Sequence, residues 1–101
     1  MSYIVIWEFQ VRPGAEVEFE RVYGRDGDWA RLFRQAEGFI RTELLRDHEV
    51  RGRYLVLDHW GSAAQYDAFR AAHAAEYAAL DQRCEALTLR EARIGSFSEL
   101  P

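Results

Sequence analysis

The sequence contains no lysine and no asparagine; all 13 of its basic residues are arginines, in a chain of 101. Without lysine there is no Schiff-base chemistry, and Gly24-Arg25-Asp26-Gly27-Asp28 cannot be a phosphate-binding P-loop. Those two aspartates do not make a calcium loop either. Cys84 is the only cysteine, so no internal disulfide is possible, and its place on an apolar stripe marks it as a buried thiol rather than a nucleophile. A cytoplasmic location is expected. The opening MSYIVIWEFQVR has no basic start, and its apolar run is too short for a secretory core or a membrane span. With a net charge of −4 the chain lacks the dense cationic face that a nucleic-acid backbone requires. His48, His59 and His73 lie too far apart for a His-x-x-x-His pair and there is no Cys-x-x-Cys, so local spacing encodes no metal site.

What is present is a core: 49% of the residues are hydrophobic, among them three Trp, five Tyr and six Phe, enough for one compact domain over residues 1–101. YIVIWEFQVR, Tyr3 to Arg12, is β-branched and aromatic and ends at the turn signal Pro13-Gly14, which predicts a first strand. Ala15 to Tyr23 places Ala15, Phe19 and Val22 on one helical face, with Gly24 to end it. Asp28 is a candidate N-cap for a short helical piece bearing Trp29, Leu32, Phe33 and Ala36. FIRTELLRD, Phe39 to Asp47, and RYLVLDHW, Arg53 to Trp60, predict two antiparallel strands around a polar hairpin loop. Ser62 and Gln65 have the spacing of a capping box, and the helix they open is expected to run unbroken to about Arg83. Glu91 to Leu100 reads as a short last strand. The order is βαββαβ, a ferredoxin-like α+β plan with an antiparallel sheet and its two helices on one face.

Tyr3 to Trp7 and Tyr54 to Leu57 are apolar at successive rather than alternate positions, so both faces of the sheet are expected to be at least partly buried. Two helices cover one face. A second copy of the same sheet is the simplest cover for the other, which predicts a sheet-to-sheet homodimer.

The segments YIVIWEFQVRPG, GFIRTELLRD, RYLVLDHWGSAAQYDAF and IGSF, taken in this order and spacing, resemble the antibiotic biosynthesis monooxygenase family of dimeric α/β-barrel proteins. The resemblance implies a ligand cleft in each subunit between sheet and helices. One branch of the family oxidises polycyclic phenols with molecular oxygen and no added cofactor; another degrades haem. The haem-degrading branch is similar at FRAAHAA, where His73 matches its axial histidine and Phe69 stands near its tryptophan. The asparagines used in both branches have no counterpart in this chain.

Cofactor-free oxidation needs a base, donors to steady an oxyanion, and an apolar cavity for a flat aromatic molecule. On the second long helix Tyr66, Phe69, His73, Tyr77, Leu80 and Cys84 share one face. That stripe is first a packing face, and His73 within it is the candidate base, with Tyr66 and Tyr77 as donors and Phe69 beside them. In Asp58-His59-Trp60 neighbouring side chains point to opposite sheet faces. His59 is the alternative base if it faces the cleft, and belongs to the dimer surface if it does not. Trp7, Trp29 and Trp60 are candidate cleft walls, and no cofactor is expected. The expectation is therefore oxidation of a small phenolic or quinone-like aromatic. A non-catalytic dimer holding a small hydrophobic metabolite is the alternative, and haem degradation a further one.

Overall fold

The computed structural model describes residues 2–101. Four strands, β1 (Tyr3–Val11), β2 (Phe39–Arg46), β3 (Arg53–Trp60) and β4 (Thr88–Ser98), form one antiparallel sheet in the order β2-β3-β1-β4. The helices are α1 (Glu16–Tyr23), α2 (Asp28–Phe33), α3 (Ala63–Ala72) and α4 (Ala74–Cys84), followed by a single 3-10 turn, Glu85–Leu87. This is the expected ferredoxin-like α+β arrangement.

The alternation of the central strands divides the molecule. Val5, Phe9 and Val11 of β1 and Tyr54, Val56 and Trp60 of β3 are buried on one face, where they meet Phe19, Val22 and Tyr23 of α1, Leu32 and Phe33 of α2, Phe69 of α3 and Leu80 of α4. Ile4, Ile6, Leu55 and Leu57 alternate with them and point the other way, flanked on the edge strands by Leu45 and Phe97. No helix lies over this second face among the described residues.

Local chemistry explains most of the boundaries. The Ser62 hydroxyl oxygen accepts from the Gln65 amide at 3.1 Å, satisfying a free donor at the start of α3. Gly38 has φ +96, and a Cβ there would lie 2.4 Å from the Gln65 side chain, so only glycine lets β2 begin this close to α3. In the β2–β3 loop the Asp47 carboxylate accepts from the amides of Glu49 (2.7 Å) and Val50 (3.1 Å) and from the Arg53 guanidinium (2.8 Å). Arg53, with those two amides, holds the Asp47 carboxyl well down, at about 2.

Three boundaries differ from expectation. The N-cap of α2 is Gly27 and not Asp28, which is the first helical residue, and no side-chain hydrogen bond caps the helix. The second long helix is broken at His73, whose φ −117 and ψ 29 lie outside the helical basin, although its carbonyl still accepts from the Tyr77 amide at 2.9 Å. Nothing in the flanking alanines explains the break. β4 starts at Thr88 rather than Glu91, because pairing with β1 extends through two register shifts. At one of them Ile94 is the additional residue between Arg93, opposite Trp7, and Gly95, opposite Ile6.

Phe19 is fully buried, with the rings of Tyr23, Tyr54 and Phe9 centred 4.2, 4.9 and 5.3 Å away. Phe19→Ala is expected to cost about 3–5 kcal/mol of stability in urea unfolding. Val17→Ala, two residues earlier on the exposed side of α1, is expected to change it by less than about 0.5 kcal/mol.

Candidate functional site

Between the sheet and the helices lies a cleft with Trp7, Phe9 and Val56 as its floor and Tyr23, Trp29, Phe33 and Tyr77 as its walls. Trp29 and Tyr77 meet edge to face across it, with ring centroids 4.9 Å apart. The free space left between these rings is about 30 Å³, room for no more than one or two waters. Three carboxyl side chains also line the cleft: Asp58 from β3, Asp81 from α4 and Glu91 from β4.

Asp58 is the unusual member. It stands on the helix-facing side of β3, opposite Val5 of β1 and Thr42 of β2, and is only 6% exposed. The Thr42 hydroxyl, itself buried, donates to Asp58 Oδ1 at 2.8 Å. The other carboxyl oxygen makes no hydrogen bond among the described residues. Burial pushes the Asp58 carboxyl up to about 7, and the Thr42 hydrogen bond opposes this only in part. A carboxyl in this position exchanges a proton near neutral pH, as a general acid or base must. The sequence carried a signal for it: a lone carboxylate in the apolar strand RYLVLDHW. What was missing was the strand's phase, because Leu55 and Leu57 are as apolar as Tyr54 and Val56.

The other candidates divide among three places. Trp7, Trp29 and Tyr77 line the cleft. Trp60, Phe69 and Tyr66 form the core beside it: Trp60 is fully buried against Phe33, Phe39 and Phe69, and the Tyr66 hydroxyl accepts from Arg70 at 3.0 Å. His59 and His73 lie away from the lining. His59 occupies the opposite face of the sheet, buried there with Nε2 2.5 Å from Glu43 Oε1. Its phase, left open by the sequence, is the one that puts it on the uncovered face. His73 sits at the α3–α4 junction with its ring stacked on Phe69 at 5.2 Å and Nδ1 3.2 Å from the Glu76 carboxylate.

The Trp29 and Trp60 indole nitrogens are buried without hydrogen-bond partners among the described residues. Burial raises the Cys84 thiol above its ordinary value, away from the thiolate a nucleophile needs. No group of three or more His, Cys, Asp or Glu side chains among the described residues is arranged to hold a metal ion, and no helix is long and apolar enough to cross a membrane.

An antiparallel β2-β3-β1-β4 sheet backed by helices, with an aromatic cleft between the layers, defines a ferredoxin-like α+β domain. Residues 2–79 match the sequence profile of the antibiotic biosynthesis monooxygenase family, and the chain belongs to that family. Among solved structures it is similar to SnoaB from Streptomyces nogalater, a cofactor-independent oxygenase, with 25% identity and TM-score 0.75 over 99% of this chain and 94% of that one. It shares its fold with MhuD from Mycobacterium tuberculosis, a haem degrader seen with two haems in its active site, at 24% identity and TM-score 0.71 over 98% and 96% of the two chains. No curated protein matches the chain in sequence.

The raised Asp58 carboxyl has a sign that can be checked. Between about pH 4 and about pH 7 the folded chain keeps a proton on Asp58 that the unfolded chain has released, so the folded state binds more protons. Stability is therefore expected to fall as pH rises through this window and to level off above it. Urea unfolding of wild type and Asp58→Asn across the window checks this, since the asparagine variant should lose that part of the pH dependence.

Proposed function

We propose that the protein is a cofactor-independent oxygenase of a small phenolic or quinone-like aromatic, with Asp58 as the base. The observation that carries this reading is a nine-tenths buried carboxyl facing a cleft walled by Trp7, Trp29 and Tyr77. Family membership and the likeness to SnoaB support the reaction class. In its ionised form Asp58 takes the acidic proton of the bound phenol, leaving an electron-rich anion that reacts with oxygen directly. One oxygen atom goes to a substrate carbon; the other leaves as water with two hydrogens that the substrate gives up, so no external reductant is consumed. One aromatic ring already needs a cavity of about 150 Å³, against the 30 Å³ present, so the rings lining the cleft must move apart to admit it.

The haem reading has less support. The carboxyl lining of the cleft would repel haem's own propionates. His73 lies outside the lining, against Phe69 and Glu76. The residues present do not fit haem.

The same proposal includes a cytoplasmic homodimer. Ile4, Ile6, Leu55 and Leu57 form an apolar strip down the middle of the uncovered sheet face, and a second copy of that face would remove it from water. Sedimentation is expected to give a dimer for wild type and a monomer for Leu57→Arg; a wild-type monomer at micromolar concentration would end the dimer proposal.

The enzymatic reading is tested by oxygen uptake with a tricyclic dihydroxyanthrone. Asp58→Asn is expected to lower the rate about a hundredfold or more, while His73→Leu keeps it. The reverse pattern would return the base role to His73. Ligand-dependent thermal stabilisation without oxygen uptake would instead favour a non-catalytic module that shelters a hydrophobic metabolite.

A further inference from the structure

The charged side chains lining the cleft are all acidic: Asp58, Asp81 and Glu91. None of the three has an ion-pair partner among the described residues, although the surface elsewhere is laced with Arg–carboxylate pairs such as Arg53 with Glu8 and Arg34 with Asp26. The nearest cations are committed elsewhere or sit aside. The Arg70 guanidinium lies 3.9 Å from the centre of the Tyr77 ring and donates to the Tyr66 hydroxyl; neither Arg70 nor Tyr66 is part of the lining. Arg90 belongs to an adjoining recess of about 180 Å³, where it is outnumbered by Asp81, Glu85 and Glu91. Like charges gathered in one place raise each other's energy, and Glu91, at the exposed rim, registers this, its carboxyl raised first by partial burial and then by Asp81 and Glu85.

We propose that the cleft selects an aromatic ligand carrying an organic ammonium group. The proposal rests on the reading of the cleft as the ligand site and names the class of ligand that site takes. Two features of the walls favour a cation independently. Asp81 and Glu91, carboxylates without ion-pair partners among the described residues, supply the counter-charge, and the buried Asp58 adds a carboxyl oxygen free of hydrogen bonds that can accept from an ammonium N–H. Aromatic faces supply the rest, since Trp and Tyr rings attract cations through their quadrupoles, and Tyr77 already holds the Arg70 guanidinium in this way. The recess beside the cleft has the space for an ammonium group between Asp81, Glu85 and Glu91. The same charge answers a need of the proposed chemistry. An anion formed beside these carboxyl groups is disfavoured unless positive charge is near; Arg70 behind Tyr77 is close by but is not part of the lining, so an ammonium on the ligand would add the charge within the cleft itself.

Isothermal titration of wild type with three probes on one ring system tests this: naphthylmethylamine, naphthylmethanol and naphthylacetate. The amine is expected to bind about tenfold more tightly than the alcohol, and the acetate most weakly. An Asp81→Asn, Glu91→Gln double variant, with its fold checked by circular dichroism, is expected to shrink the amine's advantage over the alcohol from about tenfold to less than about twofold. Equal binding of amine and alcohol, or tightest binding of the acetate, would overturn charge selection and leave the cleft as a ligand site. Failure of all three to bind would overturn both.

Discussion

Neighbouring side chains on a strand point to opposite faces, and β3 is held in a single phase by the pairing of Tyr54 with Phe9, Val56 with Trp7 and Trp60 with Tyr3. The rest of the site depends on this constraint. Fixing Tyr54, Val56 and Trp60 against the helices also fixes Asp58 there, because it lies between Val56 and Trp60 on the same side. A slip of one residue would exchange Asp58 for His59 and set an imidazole beside Asp81 and Glu91 in the cleft. The aromatic residues provide the force that forbids the slip: exposing Trp60 and Tyr54 to admit Leu55 and His59 would cost several kcal/mol of burial, at roughly 1.5–3 kcal/mol for each large apolar side chain.

The cost of this arrangement is concentrated in a few polar atoms. Asp58 has lost its water and gained one hydrogen bond, from Thr42. The indole nitrogens of Trp29 and Trp60 have lost theirs and gained none. Cores tolerate such groups sparingly, because each unsatisfied donor or acceptor costs about 1–3 kcal/mol. On the opposite face of the sheet polar groups are handled differently: His59 faces Glu43, and Arg53 joins Glu8 to Asp47, so charges there meet partners. The sheet thus pairs its charges on one face and leaves Asp58 and Glu91 without ion-pair partners among the described residues on the other, and the proposed function draws on that asymmetry.

Much of this was legible in the sequence. The βαββαβ order, the limits of β3, the Ser62 cap and the short α2 with Trp29 and Phe33 all follow from patterns of neighbouring residues. The doubled apolar phase of β1 and β3 is seen in the structure as an apolar strip, Ile4, Ile6, Leu55 and Leu57, among polar residues on the face away from the helices. The helical stripe from Tyr66 to Cys84 is largely buried as its spacing required, with Tyr66, Phe69, Leu80 and Cys84 in the core. Its histidine was harder to place. Periodicity puts His73 on the inward face of a straight helix, and its ring does stack on buried Phe69, but the residue stands at the α3–α4 break and outside the cleft lining.

The sequence by itself determined the elements, their order and the two-sidedness of the sheet, because these depend on residues near one another in the chain and on periods of two and three to four. Only the tertiary structure decided which of Asp58 and His59 enters the cleft, where α3 gives way to α4, and that Asp81 and Glu91 converge with Asp58. Those three carboxyls come from β3, α4 and β4, far apart in sequence, and their meeting depends on strand register and helix docking, which no local pattern encodes.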